Sequence, residues 1–218
     1  MTTDTGQTLP ADPAAPTGRR RPGARKLQIL QTLAAMLEDP RAEKITTAAL
    51  AARLDVSEAA LYRHFASKAQ MFEGLIEFIE TSVFGVINKI SAEQEQGIAQ
   101  VESIMALLLR FAEKNPGMTR VLTGDALVNE DARLQSRINQ LHDRLESSLK
   151  QCLRVAAAQG QIDGAADAAS TANLLLCFCV GRWQLFAKSG FKRRPAETWP
   201  AQWQLLLHGL QGKPQKPG

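Results

Sequence analysis

Ser57-Glu58-Ala59-Ala60-Leu61-Tyr62-Arg63-His64-Phe65-Ala66-Ser67-Lys68 is the stretch on which the fold of this 218-residue chain turns. On a helix, Leu61 and Phe65 lie four apart and point the same way, so they anchor one face in a core. Glu58, Ala59, Tyr62 and Arg63 are then left facing outward. Ser57, with Glu58 beside it, starts this short helix, which is expected to run through Phe65. Outward Ala59 and Ala60 do little for solubility; they suit a helix that enters a groove closely.

The residues upstream complete a unit of three helices. Leu27, Leu30, Leu33, Ala34 and Leu37 recur at three and four residues and make one apolar stripe, ended by Pro40. A shorter helix is expected from about Thr47 to Leu54, capped by Thr46 or Thr47 and kept thin by Ala48, Ala49, Ala51 and Ala52. Asp55-Val56-Ser57 forms a tight turn, with Val56 packing in it. Three helices in this order, with a thin second helix and a third anchored on one face only, fit a DNA-binding helix-turn-helix.

Helical periodicity continues downstream. Lys68 to about Ile90 places Met71, Phe72, Leu75, Ile76, Ile79 and Val83 inward. Further helices are expected over Gly97 to Asn115, Met118 to Leu122 (one short turn), Asp131 to Gln159, Ala165 to Lys188 and Trp199 to Leu210. No strand pattern or repeat stands out, so the fold class is all-α. The expected organisation is a disordered basic arm over 1–24, a helix-turn-helix domain over 25–68, a helical dimerisation and partner-binding domain over 69–211, and a flexible tail over 212–218. The arm carries Arg19-Arg20-Arg21 and has two readings, a solubilising tail or a segment that touches phosphates.

Composition narrows the function classes. Hydrophobic residues make up 44% of the chain, enough for a real core. No apolar run reaches the roughly 18 residues of a membrane span, and no secretory signal is visible, so the cytoplasm is the expected compartment. Residues 1–70 hold ten Lys and Arg against seven Asp and Glu, placing most of the net +4 near the N-terminus and favouring a polyanionic partner. Cys152, Cys177 and Cys179 lack the spacing of a zinc site and read as small buried hydrophobes. His64, His142 and His208 have no nucleophile or metal partner at a useful spacing, and no glycine-rich phosphate loop occurs. An enzyme, a metal site and a cofactor are therefore not expected.

The Leu61-Tyr62-Arg63-His64-Phe65-x-x-Lys68 run closely resembles the TetR family of regulators. Further stretches resemble the branch of that family that blocks cell division over the nucleoid: Ile45-Thr46-Thr47, Leu75-Ile76-Glu77-Phe78-Ile79-Glu80, Asn115-Pro116-Gly117, Arg120-Val121-Leu122-Thr123-Gly124 and Arg137-Ile138-Asn139-Gln140-Leu141. The likeness covers about residues 25 to 211. It implies phosphate contacts by Thr46, Thr47, Tyr62, His64 and Lys68, with Ser57, Glu58, Ala59 and Ala60 nearest the bases of double-stranded, palindromic DNA. Taken singly, Tyr62 also reads as a half-buried tyrosine, His64 as a helix cap and Lys68 as a solvated helix start. The same resemblance implies the tubulin-like division protein FtsZ as a partner, met by Phe78, Leu107, Lys114 and Asn115, and a location on the nucleoid. Phe78 has its own argument, because it sits off the stripe of Leu75, Ile76, Ile79 and Val83. The chain departs from the branch's pattern at Val86, where a basic residue is expected, and at Arg110, where a small one is.

The apolar excess of Ala165 to Leu210 points to a homodimer. Leu174, Leu175, Phe178, Gly181, Leu185, Trp203, Leu206 and Leu207 are expected to pack against a symmetry mate in a four-helix interface. Other TetR regulators usually hold a small ligand in this region, and Trp183 with Phe186 reads either as a packed core or as an aromatic pocket. A ligand-released transcriptional repressor is therefore the alternative to division control.

Overall fold

Apolar residues spaced three and four apart give each long helix a buried face in the computed structural model, which describes residues 23–39, 45–163 and 167–211. Among these residues the elements are α1 (Ala24–Leu37), α2 (Thr47–Arg53), α3 (Glu58–Tyr62), α4 (Lys68–Glu93), α5 (Gly97–Lys114), α6 (Pro116–Leu122), a 3₁₀ turn at Asp125–Leu127, α7 (Ala132–Ala158), α8 (Ala168–Lys188) and α9 (Trp199–Leu210). The all-α expectation holds. The Pro40 stop, Ala165, the arm through residue 22 and the tail from residue 212 lie outside the described residues.

Local departures from the sequence-based expectation have local causes. α1 begins at Ala24, so Arg25 and Lys26 are helical. Its buried face is Ile29, Leu33, Ala34 and Leu37, while Leu27 is 42% exposed; the stripe is turned toward Ile29. α3 stops at Tyr62 rather than Phe65, because the amides of His64 and Phe65 both close onto the carbonyl of Leu61. Cys152 and Cys179 are buried, and burial pushes both thiols up. Cys177 is exposed, contrary to expectation, because it lies on the outward side of α8.

α5 is the axis of the larger part. Its Val101, Ile104, Met105, Leu108, Leu109 and Ala112 are buried against α4, α7 and α8. Trp183 is buried and its indole N–H donates to the Leu108 carbonyl at 3.2 Å. Phe186 is buried as well, so this pair packs as core. Trp203 packs on Trp199, with ring centroids 5.5 Å apart.

The two ends of this bundle are tied differently. At one end, Gln159 and Gln161 side chains accept from the amides of Gly97 and Ile98, each at 2.9 Å, and the Asp163 amide reaches the Leu210 carbonyl at 2.9 Å. At the other, α6 seats α1. A Cβ on Gly117 would fall 2.0 Å from the Ala34 carbonyl oxygen, so only glycine allows this approach. Arg120 donates to the carbonyls of Leu37 at 3.3 Å and Asp39 at 3.0 Å. Gly117→Ala is therefore expected to overpack this contact and lower stability by about 1–3 kcal/mol, read from the shift in urea midpoint. A variant as stable as the parent would contradict the close approach.

Candidate nucleic-acid interface

Short polar side chains set the geometry of α2 and α3. The Thr46 hydroxyl accepts from the Ala49 amide at 3.1 Å, and the Ser57 hydroxyl accepts from the Ala60 amide at 3.3 Å, so each caps its helix. Asp55 turns the chain between them at φ 53°, a left-handed conformation that aspartate tolerates better than most residues. Leu50, Ala51, Leu61 and Phe65 are buried and pin this pair of helices down. The opposite side is open. Ser57, Glu58, Ala59 and Arg63 are exposed, Ala60 is half-buried, and Tyr62 is 45% exposed.

Three of these side chains form a line across the gap between α2 and α3. The Thr47 hydroxyl donates to Glu58 Oε2 at 2.5 Å, and the Tyr62 phenol lies 3.5 Å from the Thr47 oxygen. A hydroxyl that accepts from a backbone amide still has its own proton to give, as Thr46 and Ser57 do. The surface thus presents O–H donors beside one carboxylate, with small Ala59 letting a ligand come close. Such donors reach phosphate oxygens, and the carboxylate can accept from a base amino group.

His64 is half-buried in the turn after α3. Lys68 opens α4, behind the Ser67 hydroxyl that accepts from Gln70 at 3.2 Å. Its ammonium is ion-paired with Glu130, from the segment between the 3₁₀ turn and α7, and lies 5.6 Å from the Phe72 ring centroid. Sequence spacing does not single out Glu130, because the pair spans 62 positions and leaves no local signal.

A second group gathers between α4 and α5. Leu107, Lys114 and Asn115 line a groove of about 450 Å³ with Val86, Ile90, Ala106, Arg110 and Phe111. Asn115 donates to the Phe111 carbonyl at 2.7 Å. Phe78 is 38% exposed on α4 but does not line this groove. Val86 and Arg110, the two positions where the resemblance breaks, both do.

The face expected to meet a second copy differs in part from the expectation. Leu174 and Leu185 are exposed, Gly181 is exposed, and Phe178, Leu206 and Leu207 are half-buried. Leu175 and Trp203 are instead buried within the chain, at 1% and 2% exposure, because α8 and α9 turn those positions inward. Leu205, which periodicity alone does not mark, is 76% exposed. Among the described residues, no helix is long and apolar enough to cross a membrane.

Comparison with known proteins agrees with this architecture. Residues 29–75 match the family described as bacterial regulatory proteins, tetR family, and residues 95–211 match the SlmA-like tetracyclin repressor-like C-terminal domain. A protein of Idiomarina loihiensis named nucleoid occlusion factor SlmA is 53% identical over 186 residues, covering 85% of this chain and 95% of its own. A protein of the same name from a Marinomonas species is 52% identical, covering 85% and 94%. Among solved structures, the ketosteroid transcriptional regulator KstR2 of Mycobacterium tuberculosis shares the fold at a TM-score of 0.72 and 15% identity, over 87% of this chain and 96% of its own.

Replacing either cap, by Thr46→Ala or Ser57→Ala, should lower stability by about 0.5–2 kcal/mol. Urea unfolding checks this, and an unchanged midpoint for both would show that the hydroxyls do not cap these helices.

Proposed function

We propose that this chain, which belongs to the TetR family and within it to the nucleoid occlusion factor SlmA family, docks as a dimer on palindromic duplex DNA and there binds FtsZ, preventing division rings from assembling over the nucleoid. The family is one of DNA-binding regulators and not of enzymes. The observation that carries the DNA reading is the open face of α2 and α3, where Thr47, Glu58 and Tyr62 are aligned beside two capping hydroxyls. Identity of about half over nearly the whole length of the relatives supports the division role.

In this reading residues 25–68 dock on DNA, and residues 69–211 dimerise and hold the partner. Thr46, Thr47, Tyr62, His64 and Lys68 hold phosphates, while Ser57, Glu58, Ala59 and Ala60 lie nearest the bases. Glu58 accepts from a cytosine amino group, and Ala59 or Ala60 meets a thymine methyl. Lys68 reaches a phosphate by exchanging Glu130 for it. Leu174, Leu185 and Leu205 bury themselves against the second copy, which places two helix-turn-helix units on two half-sites. FtsZ engages α4 and α5 through Phe78, Leu107, Lys114 and Asn115. The groove supplies an apolar floor and, four residues apart on α5, the cations Arg110 and Lys114. Release by a small ligand has less support, because Trp183 and Phe186 are packed into the core.

Lys68→Ala and Tyr62→Phe should weaken binding to all duplex sequences about equally. Lys68→Ala should also flatten the slope of log affinity against log salt by about one unit per protomer, hence about two per dimer, one neutralised phosphate being lost at each half-site. A change of base preference with an unaltered slope would take Lys68 out of the phosphate role. Leu174→Asp combined with Leu185→Asp should yield monomers in sedimentation at micromolar concentration; a persisting dimer would place the interface elsewhere. Phe78→Ala and Lys114→Asp should each keep DNA affinity and abolish FtsZ recruitment to DNA. If both recruit FtsZ as the parent does, the partner site lies elsewhere, and if the parent recruits none, ligand-released repression becomes the better reading.

A further inference from the structure

Residues 182–198 hold Arg182, Lys188, Lys192, Arg193 and Arg194 against a single acid, Glu197. The whole chain has 26 Lys and Arg against 22 Asp and Glu, so outside this stretch the two signs balance at twenty-one of each. The net +4 of the protein is therefore matched by one stretch, the last two turns of α8 together with its connection to α9.

That connection is built, with its shape held from several sides. The Ser189 hydroxyl accepts from the amides of Lys192 at 3.1 Å and Arg193 at 2.9 Å. Arg182 donates to the carbonyls of Arg194 at 3.0 Å and Pro195 at 2.9 Å. Glu113, near the end of α5, ion-pairs with Arg194. The Phe191 amide bonds to the Phe186 carbonyl at 2.9 Å, and the two rings meet edge-on at 5.2 Å. Phe191 holds φ 64°, a strained conformation for a bulky residue that these contacts must over-determine. What the loop leaves outward are the side chains of Lys188, Lys192 and Arg193, all exposed and forming no ion pair among the described residues.

Its place in the fold gives this charge a direction. Gln184, one turn before the end of α8, donates to the Thr123 carbonyl just after α6 at 3.1 Å. Glu113 stands immediately before α6, and α6 is the helix that seats α1. The loop thus opens at the end of the bundle that carries the helix-turn-helix. Leu185, on the dimer face, lines the same recess as Lys192 and Arg193. A dimer formed through the proposed face of Leu174 and Leu185 would bring the two loops toward its two-fold axis, on the helix-turn-helix side.

We propose that this loop is a second phosphate-binding element: Lys188, Lys192 and Arg193 of both protomers contact the sugar–phosphate backbone at the centre of the palindrome, between the half-sites. The proposal rests on the DNA-docking reading above. Duplex DNA presents one charge per roughly 1.7 Å of its axis, and each phosphate neutralised releases a counterion. A loop already held in shape gives up little freedom on binding. Exposed cations without an apolar anchor of their own suit a uniform polyanion better than a peptide, which needs side-chain pockets.

The test uses full-length parent, Lys192→Ala/Arg193→Ala, and Tyr62→Phe/Lys68→Ala proteins on a palindromic duplex that the parent selects from a random-sequence pool. Affinity is followed against salt, and phosphate-ethylation interference maps the contacts. The loop variant should bind about tenfold or more weakly near 0.15 M salt and flatten the slope by about four units, because four phosphates per dimer go unneutralised. It should show no interference at the central phosphates and keep it at the half-sites. If its slope and central interference match the parent's while the Tyr62→Phe/Lys68→Ala protein is impaired, the loop proposal falls and the helix-turn-helix reading stands. If the parent shows no salt-dependent duplex binding, the reading beneath both falls. A loop variant that keeps DNA binding but no longer recruits FtsZ would assign the loop to an acidic protein partner and overturn the proposal. Should the double variant fail to dimerise, Lys188→Ala decides instead, with an expected flattening of about two units.

Discussion

A missing Cβ at Gly117 holds this molecule together as a functional unit. The α6 backbone lies so close to the Ala34 carbonyl that no other residue fits, and Arg120 adds donors to the last carbonyls of α1. Because α2 packs on α1 and α3 packs on α2, this seat decides how the recognition surface stands relative to the bundle. In the proposed complex, the two half-sites, the two-fold axis and the loop facing DNA all depend on that fixed relation. The Lys68–Glu130 pair is a second, electrostatic tie across the same joint.

The polar chemistry is divided by location. On α2 and α3 it is hydroxyls, a phenol and one carboxylate, groups that fix position and register through directed hydrogen bonds. On the α8–α9 connection it is bare cations on a braced loop, which attract a polyanion without reading it. The two surfaces share one end of the molecule, so attraction and registration act on the same ligand in the proposed complex.

The apolar surfaces are divided as well. Leu174, Leu185 and Leu205 are exposed on α8 and α9, while Val86, Leu107 and Phe111 line the groove between α4 and α5. A chain can occupy the first with its own copy and still have the second free for a different protein.

Much is legible in the sequence because it is written in local spacing. The 3.6-residue period marks the long helices, Thr46 and Ser57 mark the caps of α2 and α3, and Leu61 with Phe65 marks the anchored side of α3. The residues proposed to face DNA also lie close in sequence, within some twenty positions of one another, so the surface they form on α2 and α3 follows from local spacing. What resists is whatever depends on a neighbour distant in the chain. α8 is apolar on nearly every side, so periodicity cannot say that Leu175 turns inward while Leu174 and Cys177 turn out. Trp203 reads equally well as core or as interface until α8 is laid beside it. The groove between α4 and α5, the Lys68–Glu130 pair and the closeness of Gly117 to Ala34 join residues that the chain keeps well apart. The sequence by itself determined the helices and the chemistry each could offer; tertiary packing alone decided which faces those helices hide, because burial is a property of two surfaces that meet, and local spacing describes only one of them at a time.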